Sequence, residues 1–130
     1  MHFLTPLLES APAHFILRNE RTGEPLAIHL ETAFDSATRR KGLLGRTELA
    51  SGAALIIAPC SAIHTFFMRF TIDVAFVSRQ GIVVKACHRI RPWRMSVAIG
   101  ALAAVELQEG TLARTQTVDG DRLLLETSTR

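Results

Sequence analysis

Apolar side chains in this chain recur at every second position, in short segments that turn residues soon end. Leu26, Ile28 and Leu30 alternate with Ala27, His29 and Glu31. Ile72, Val74 and Phe76 fall on one face, and Ile82, Val84 and Ala86 repeat the pattern after Gln80-Gly81. A period of two is that of a half-buried strand, and two such runs joined at a glycine turn predict a hairpin. His14 to Asn19, the run Ala53 to Ala58 closed by Pro59, Leu102 to Leu107 and Arg122 to Glu126 are further strand candidates. Arg21-Thr22-Gly23-Glu24 and Val118-Asp119-Gly120-Asp121 supply turn chemistry between them.

Helical signals are few. Asp35 can accept the free amides of a first turn, which predicts a short helix through Arg39 and Leu43 that Gly45 stops, with Gly42 weakening it from inside. Thr111 to Thr115 suits a single helical turn. The expected fold is therefore mostly β with one or two short helices, a compact small β-barrel or sandwich with a helix covering one opening or edge. Gly-Asp turns like Gly120-Asp121 precede strands in several small barrels, which tilts the expectation towards a barrel.

A length of 130 residues fits one domain, and 48% hydrophobic against 21% charged residues calls for a packed core rather than a disordered chain. Residues 1–13 hold two prolines and no clear period, so they read as an irregular or loosely docked tail, with 14–130 as a single domain. The N-terminus lacks a basic region, and its apolar run is cut by Pro6 and ended by Glu9, unlike a secretory signal. No stretch has membrane-spanning length. A cytoplasmic location without a membrane partner is expected, with Cys60 and Cys87 as free thiols rather than a bridge. The formal charge of +3 is carried mostly by arginine, concentrated at Arg39-Arg40-Lys41 with Arg46 and at Arg89, Arg91 and Arg94. Neither group is interleaved with several stacking aromatics, which argues against nucleic acid and for solvated faces or carboxylate pairs.

Between Cys60 and Asp73 the chain sets a thiol, an imidazole, a thioether, a guanidinium and a carboxylate among aromatics. On extended backbone His64, Phe66, Met68 and Phe70 would share one face, and Thr65, Phe67 and Arg69 the other. Packing does not explain His64, Arg69 and Asp73. Asp73 begins a strand apolar on both sides, where a carboxylate needs a partner, and Arg39, Arg46 or Arg69 could hold it as an ion pair. Glu106, between Val105 and Leu107, raises the same question; it reads as a strand residue facing the rim, with an acid–base pair with Asp73 as the alternative. Cys60, His64, Cys87 and His88 could supply a tetrahedral zinc site, although adjacent strand residues such as Cys87 and His88 point to opposite faces. The competing reading is buried thiols and a hydrogen-bonded histidine, and no cofactor is expected. Cys60 and His64 could also form a nucleophile and its base, without an identifiable orienting group. Trp93, between Pro92 and Arg94 in a loop, suits either core packing or a ligand with a flat or anionic face.

Several separated motifs resemble the bacterial and archaeal family known as domain of unknown function 192. They are Arg39, Gly42, Leu43, Leu44 and Arg46; Phe66, Met68, Arg69, Ile72, Asp73 and Phe76; Val105-Glu106-Leu107 with Gly110; and Gly120-Asp121. The order is the family's, from about Ala33 to Leu125. Cys60-x-x-Ile63-His64-Thr65 leading to Met68-Arg69-Phe70, with Pro92-Trp93-Arg94, is similar to one branch of it. Leu44 stands where methionine is usual, and Thr71 where proline is usual. The resemblance implies no activity and no cofactor, because the family is uncharacterised. From the residues, the expected function is a noncatalytic module that binds a small anionic ligand or a protein partner, with Arg46, His64, Arg69, Asp73, Trp93 and Arg94 as candidate site residues. The alternative is a hydrolase or metal-dependent enzyme, which requires Cys60, His64 and Asp73 to converge.

Overall fold

The computed structural model describes residues 2–128. Along the chain run α1 (Thr5–Glu9), β1 (Phe15–Asn19), β2 (Pro25–Ala27), β3 (His29–Ala33), α2 (Ser36–Lys41), β4 (Ala53–Ile57) and β5 (Ala62–His64). Then follow β6 (Ile72–Val77), β7 (Val83–Ile90), β8 (Met95–Val97), β9 (Ala103–Gln108), α3 (Thr111–Arg114) and β10 (Leu123–Thr127). The fold is mostly β, as the period of two requires. Among the described residues, no helix is long and apolar enough to cross a membrane.

The strands form a five-stranded sheet in the order β3-β4-β9-β6-β7, a three-stranded sheet β10-β1-β2 and a two-stranded sheet β5-β8. None closes into a barrel, and this corrects the barrel expectation to a layered, sandwich-like one. The reason lies in the side chains. Every residue of β6 is buried, so the sheet needs a cover on each face, whereas closure would cover only the inner one. Ala75, Val77, Val105 and Leu107 face Leu17, Leu26 and Leu123 of the three-stranded sheet. On the other face Ile72, Val74, Phe76 and Ala104 meet Leu43, Leu49, Ile63, Met68 and Ala98. The five-stranded sheet is thus the middle layer, and each large apolar side chain buried against it contributes about 1.5–3 kcal/mol.

Three local readings differ from expectation. The single strand over Leu26 to Leu30 divides at exposed Ile28, where the amides of Ile28 and His29 donate to the carbonyl of Gly52 and the chain crosses from one sheet to the other. Part of the supposed irregular tail is helical: Pro6 sits in the first turn of α1, where its missing N–H costs nothing, and Leu4 and Leu7 enter the first core cluster. α2 is capped by Asp35 as expected, with its Oδ1 accepting from the Thr38 amide at 2.8 Å, yet it ends before Gly42, which takes a positive φ of 47°.

The segment after His64 is a loop, so the alternation expected through Phe70 fails. Fully buried Thr65 ties it down: its hydroxyl donates to the Arg91 carbonyl at 2.6 Å and accepts from the Arg94 amide at 2.9 Å. Phe67, at φ 66°, reverses the chain there.

Asp73 shows how the middle layer tolerates a carboxylate. It is fully buried on the face turned to the first cluster, and Oδ1 accepts from the Arg89 amide and Oδ2 from the Leu112 amide, each at 2.9 Å. Among the described residues no arginine side chain bonds to it, which corrects the expected ion pair. Two backbone donors from β7 and α3 meet the charge instead, and the residue joins three elements. Asp73→Ala leaves two buried amides without an acceptor and is expected to cost about 3 kcal/mol in urea unfolding, with Asp73→Asn costing less because one oxygen remains.

Candidate functional site

A cleft of about 640 Å³ opens on the second-cluster side of the middle sheet. One wall is α2 and the turn after it, with Arg39, Arg40, Lys41 and Gly42; the other runs from Pro59 and Cys60 to His64, with Met68. Glu106 of β9 belongs to its floor. β9 is the central strand, and Glu106 lies between Leu55 of β4 and Val74 of β6. Only 4% of the residue is exposed, and no described residue donates a hydrogen bond to its carboxyl, whose oxygens open into the cleft. Burial pushes its pKa up to about 7, against a smaller downward pull from the charge of Arg46. Gly42 lies beside it: a Cβ there would stand 3.8 Å from Oε1, in ordinary van der Waals contact.

Glu106 is therefore not a rim-facing glutamate, as its place in the sequence suggested. The signal that could have found it is the run Ala103 to Leu107, apolar at both alternating sets of positions except Glu106. Such a run marks a strand buried on both faces, and its lone carboxylate must face something other than solvent. Asp73 pairs with Leu107 and so faces the opposite side of the sheet, which keeps the two carboxylates apart.

The sulfur and imidazole groups are dispersed. The Cys60 thiol donates to the Ala62 carbonyl at 3.1 Å, and burial pushes its pKa up. His64 accepts from the Phe66 amide through Nδ1 at 3.3 Å and stacks on the Phe66 ring at 4.8 Å. Cys87 meets the Ser96 hydroxyl at 3.5 Å in a separate depression, and His88 is exposed. Both cysteines are free, and the described residues contain no group of three or more His, Cys, Asp or Glu placed to hold a metal ion. Cys60 and His64 line the cleft while Asp73 is sealed on the other face, so the three do not converge.

Of the six residues expected to bind an anion, Arg46 is engaged elsewhere, holding Glu31 through paired bonds of 2.9 and 3.0 Å that keep the Glu31 carboxyl below its ordinary range. Asp73 is the buried staple described above. His64, Trp93 and Arg94 do come together. Trp93 lies 5.8 Å from the Phe66 ring and 4.6 Å from the Phe67 ring, and the Arg94 guanidinium donates to the carbonyls of Pro92 and Trp93. Arg69 is exposed on the adjoining loop. His64 alone lines the cleft as well.

The model of the family DUF192, described as Uncharacterized ACR, matches residues 17–125. A Sinorhizobium meliloti protein described as a candidate transcription regulator is similar in structure, with a TM-score of 0.73 at 20% identity over 85% of this chain and 91% of that chain. A protein of unknown function from Novosphingobium aromaticivorans also has a TM-score of 0.73, at 25% identity over 84% of this chain and 82% of that chain. These likenesses show a shared fold. A comparison with curated proteins finds no match.

The Glu106 carboxyl makes stability depend on pH. Its folded-state pKa of about 7 lies above the ordinary 4.5, so between these values the folded chain holds the proton that the unfolded chain releases, and stability falls as the pH rises. Glu106→Gln, which mimics the protonated form, should match the parent protein near pH 5 and exceed it by about 3 kcal/mol at pH 8 in chemical denaturation.

Proposed function

The chain belongs to the DUF192 family, and on that premise we propose that it acts as a noncatalytic module that binds a small anionic ligand in the cleft above Glu106. The observation that carries this reading is the carboxyl of Glu106, a residue only 4% exposed that receives no hydrogen bond from the described residues, opening into a cleft whose rim is cationic. Three segments distant in sequence contribute: the turn from Arg39 to Leu44, the stretch from Cys60 to Met68, and β9. Arg39, Arg40 and Lys41 are free of salt bridges within the described residues. They offer charge-assisted donors to a carboxylate or phosphate. Deeper in, a carboxyl near neutrality can donate to or accept from a hydroxyl or amine of the same ligand. His64 adds a further polar group at the wall.

The noncatalytic reading is favoured over a hydrolase by the state of the thiol. A cysteine whose proton is committed to a carbonyl and whose pKa is raised is a poor nucleophile at neutral pH.

Titration calorimetry against small carboxylates and phosphorylated compounds tests the proposal. A ligand is expected whose affinity falls about tenfold or more in Arg39→Ala/Arg40→Ala, the loss of one or two charge-assisted bonds. Its affinity should also change with pH near 7 in the parent protein and lose that dependence in Glu106→Gln. Equal affinity in the arginine variant, or turnover of the ligand, would count against this assignment.

A further inference from the structure

The sheet β5-β8 covers the second cluster with one face and leaves the other bare. Trp93, Met95, Val97 and Ile99 follow one another at every second position and are 56%, 67%, 52% and 91% exposed. Phe67, 71% exposed, packs against Trp93. Ala62 and His64, both exposed, stand opposite Val97 and Met95 in the register, so β5 borders the stripe with a methyl group and an imidazole. Single exposed apolar residues are ordinary, but a contiguous stripe of this kind marks a contact surface.

Backbone strain gathers at the same place. Phe67, Arg89 and Trp93 have φ of 66°, 51° and 67°, three of the four non-glycine residues with positive φ among those described. A bulky side chain resists this conformation, and here it holds two aromatics out towards solvent.

The charge around the stripe is mostly positive, although Glu109 approaches Arg89 and Asp119 accepts from the Ala86 amide. Between Glu48 and Glu106 the sole carboxylate in the sequence is Asp73, which is buried and bonded to amides. Lys85 reaches β8 itself, donating to the Ser96 hydroxyl at 3.0 Å and the Val97 carbonyl at 3.1 Å. Arg89, Arg91 and Arg94 line a depression of about 440 Å³ beside Met95. Of these arginines, Arg89 alone forms an ion pair among the described residues, with Glu109 at 3.6 Å and both side chains well exposed.

We propose that this face docks peripherally on an anionic lipid surface, with the apolar stripe entering the headgroup region and Arg89, Arg91 and Arg94 taking up lipid phosphates. A second copy of the same face would oppose cation to cation. Side chains that project as Ile99 and Phe67 do form no groove for a folded partner, whereas a fluid interface accommodates them and favours tryptophan at headgroup depth. Beyond Trp93 and Phe67 the stripe is aliphatic, so it offers stacking to few bases of a single-stranded nucleic acid. The contact needs no spanning segment, and it adjoins the cleft at Ala62 and His64.

Trp93 is the only tryptophan, so its emission reports the contact directly. The full chain should co-sediment with phosphatidylcholine vesicles containing phosphatidylglycerol, with a blue shift of Trp93 emission, and should leave pure phosphatidylcholine vesicles unbound. Added salt should release it. Arg91→Ala/Arg94→Ala should lower the partition about thirtyfold, at roughly 1 kcal/mol per arginine. Ile99→Asp, at an exposed turn position, should abolish binding while leaving the circular dichroism spectrum unchanged. Failure to bind the anionic vesicles, equal binding to neutral ones, or undiminished binding by Ile99→Asp overturns the proposal. So does an emission shift produced by an acidic peptide or a single-stranded oligonucleotide but not by the vesicles.

Discussion

Burial of the five-stranded sheet on both faces is the constraint from which the rest of the structure follows. A sheet covered on one face can send its polar residues to water, but here each alternate position of β6 and β9 meets a packed layer. A polar side chain on either strand must then find its partner inside the protein. Asp73 and Glu106 are the two charged residues on these strands, and they meet the requirement in opposite ways. The Asp73 carboxylate takes two backbone amides and becomes part of the frame. Glu106 receives no donor from the described residues, and its carboxyl is left facing a cleft.

That difference separates structure from candidate function. A carboxyl held near neutrality by desolvation is a cost to folding, since the unfolded chain would ionise it freely at pH 7. A charged partner placed on Glu106 would remove that cost, as the Arg21 guanidinium does for Asp121, whose carboxyl is held far below its ordinary range. Arg46 acts on Glu106 only at a distance, its own guanidinium being paired with Glu31. The open carboxyl and the unpaired cations at the rim thus complement what the cleft could receive, rather than each other.

Local signals in the sequence were largely legible. The capping of α2 by Asp35, the hairpin of β6 and β7, and the strand before Pro59 each follow from residues close along the chain. Where reading failed, a distant contact had intervened. Ile28 splits a well-alternating run because Gly52 lies across from it, and Thr65 bends the stretch after His64 because its hydroxyl bonds to the loop at Arg91 and Arg94. Leu4 and Leu7 give the N-terminal residues a docked helix that their prolines did not suggest. Among candidate site residues, His64 was legible as a residue that packing does not explain. The place of Arg39 and Glu106 at one cleft was not, because each side chain by itself has an ordinary solvated explanation.

The sequence by itself determined that the chain folds as short strands with few helical turns, and it singled out the residue types from Cys60 to Asp73 as unusual. Periodicity and turn chemistry are local, so they can be read without knowing what lies across a sheet. Only the tertiary structure decided which face each strand residue takes and what stands opposite it. That step put Asp73 against backbone amides, Glu106 beneath a cationic rim, and Trp93 at the exposed end of an apolar stripe. The physical reason is that a side chain's charge state and partners depend on burial and on contacts between segments far apart in the chain, and alternation along one strand carries no information about either.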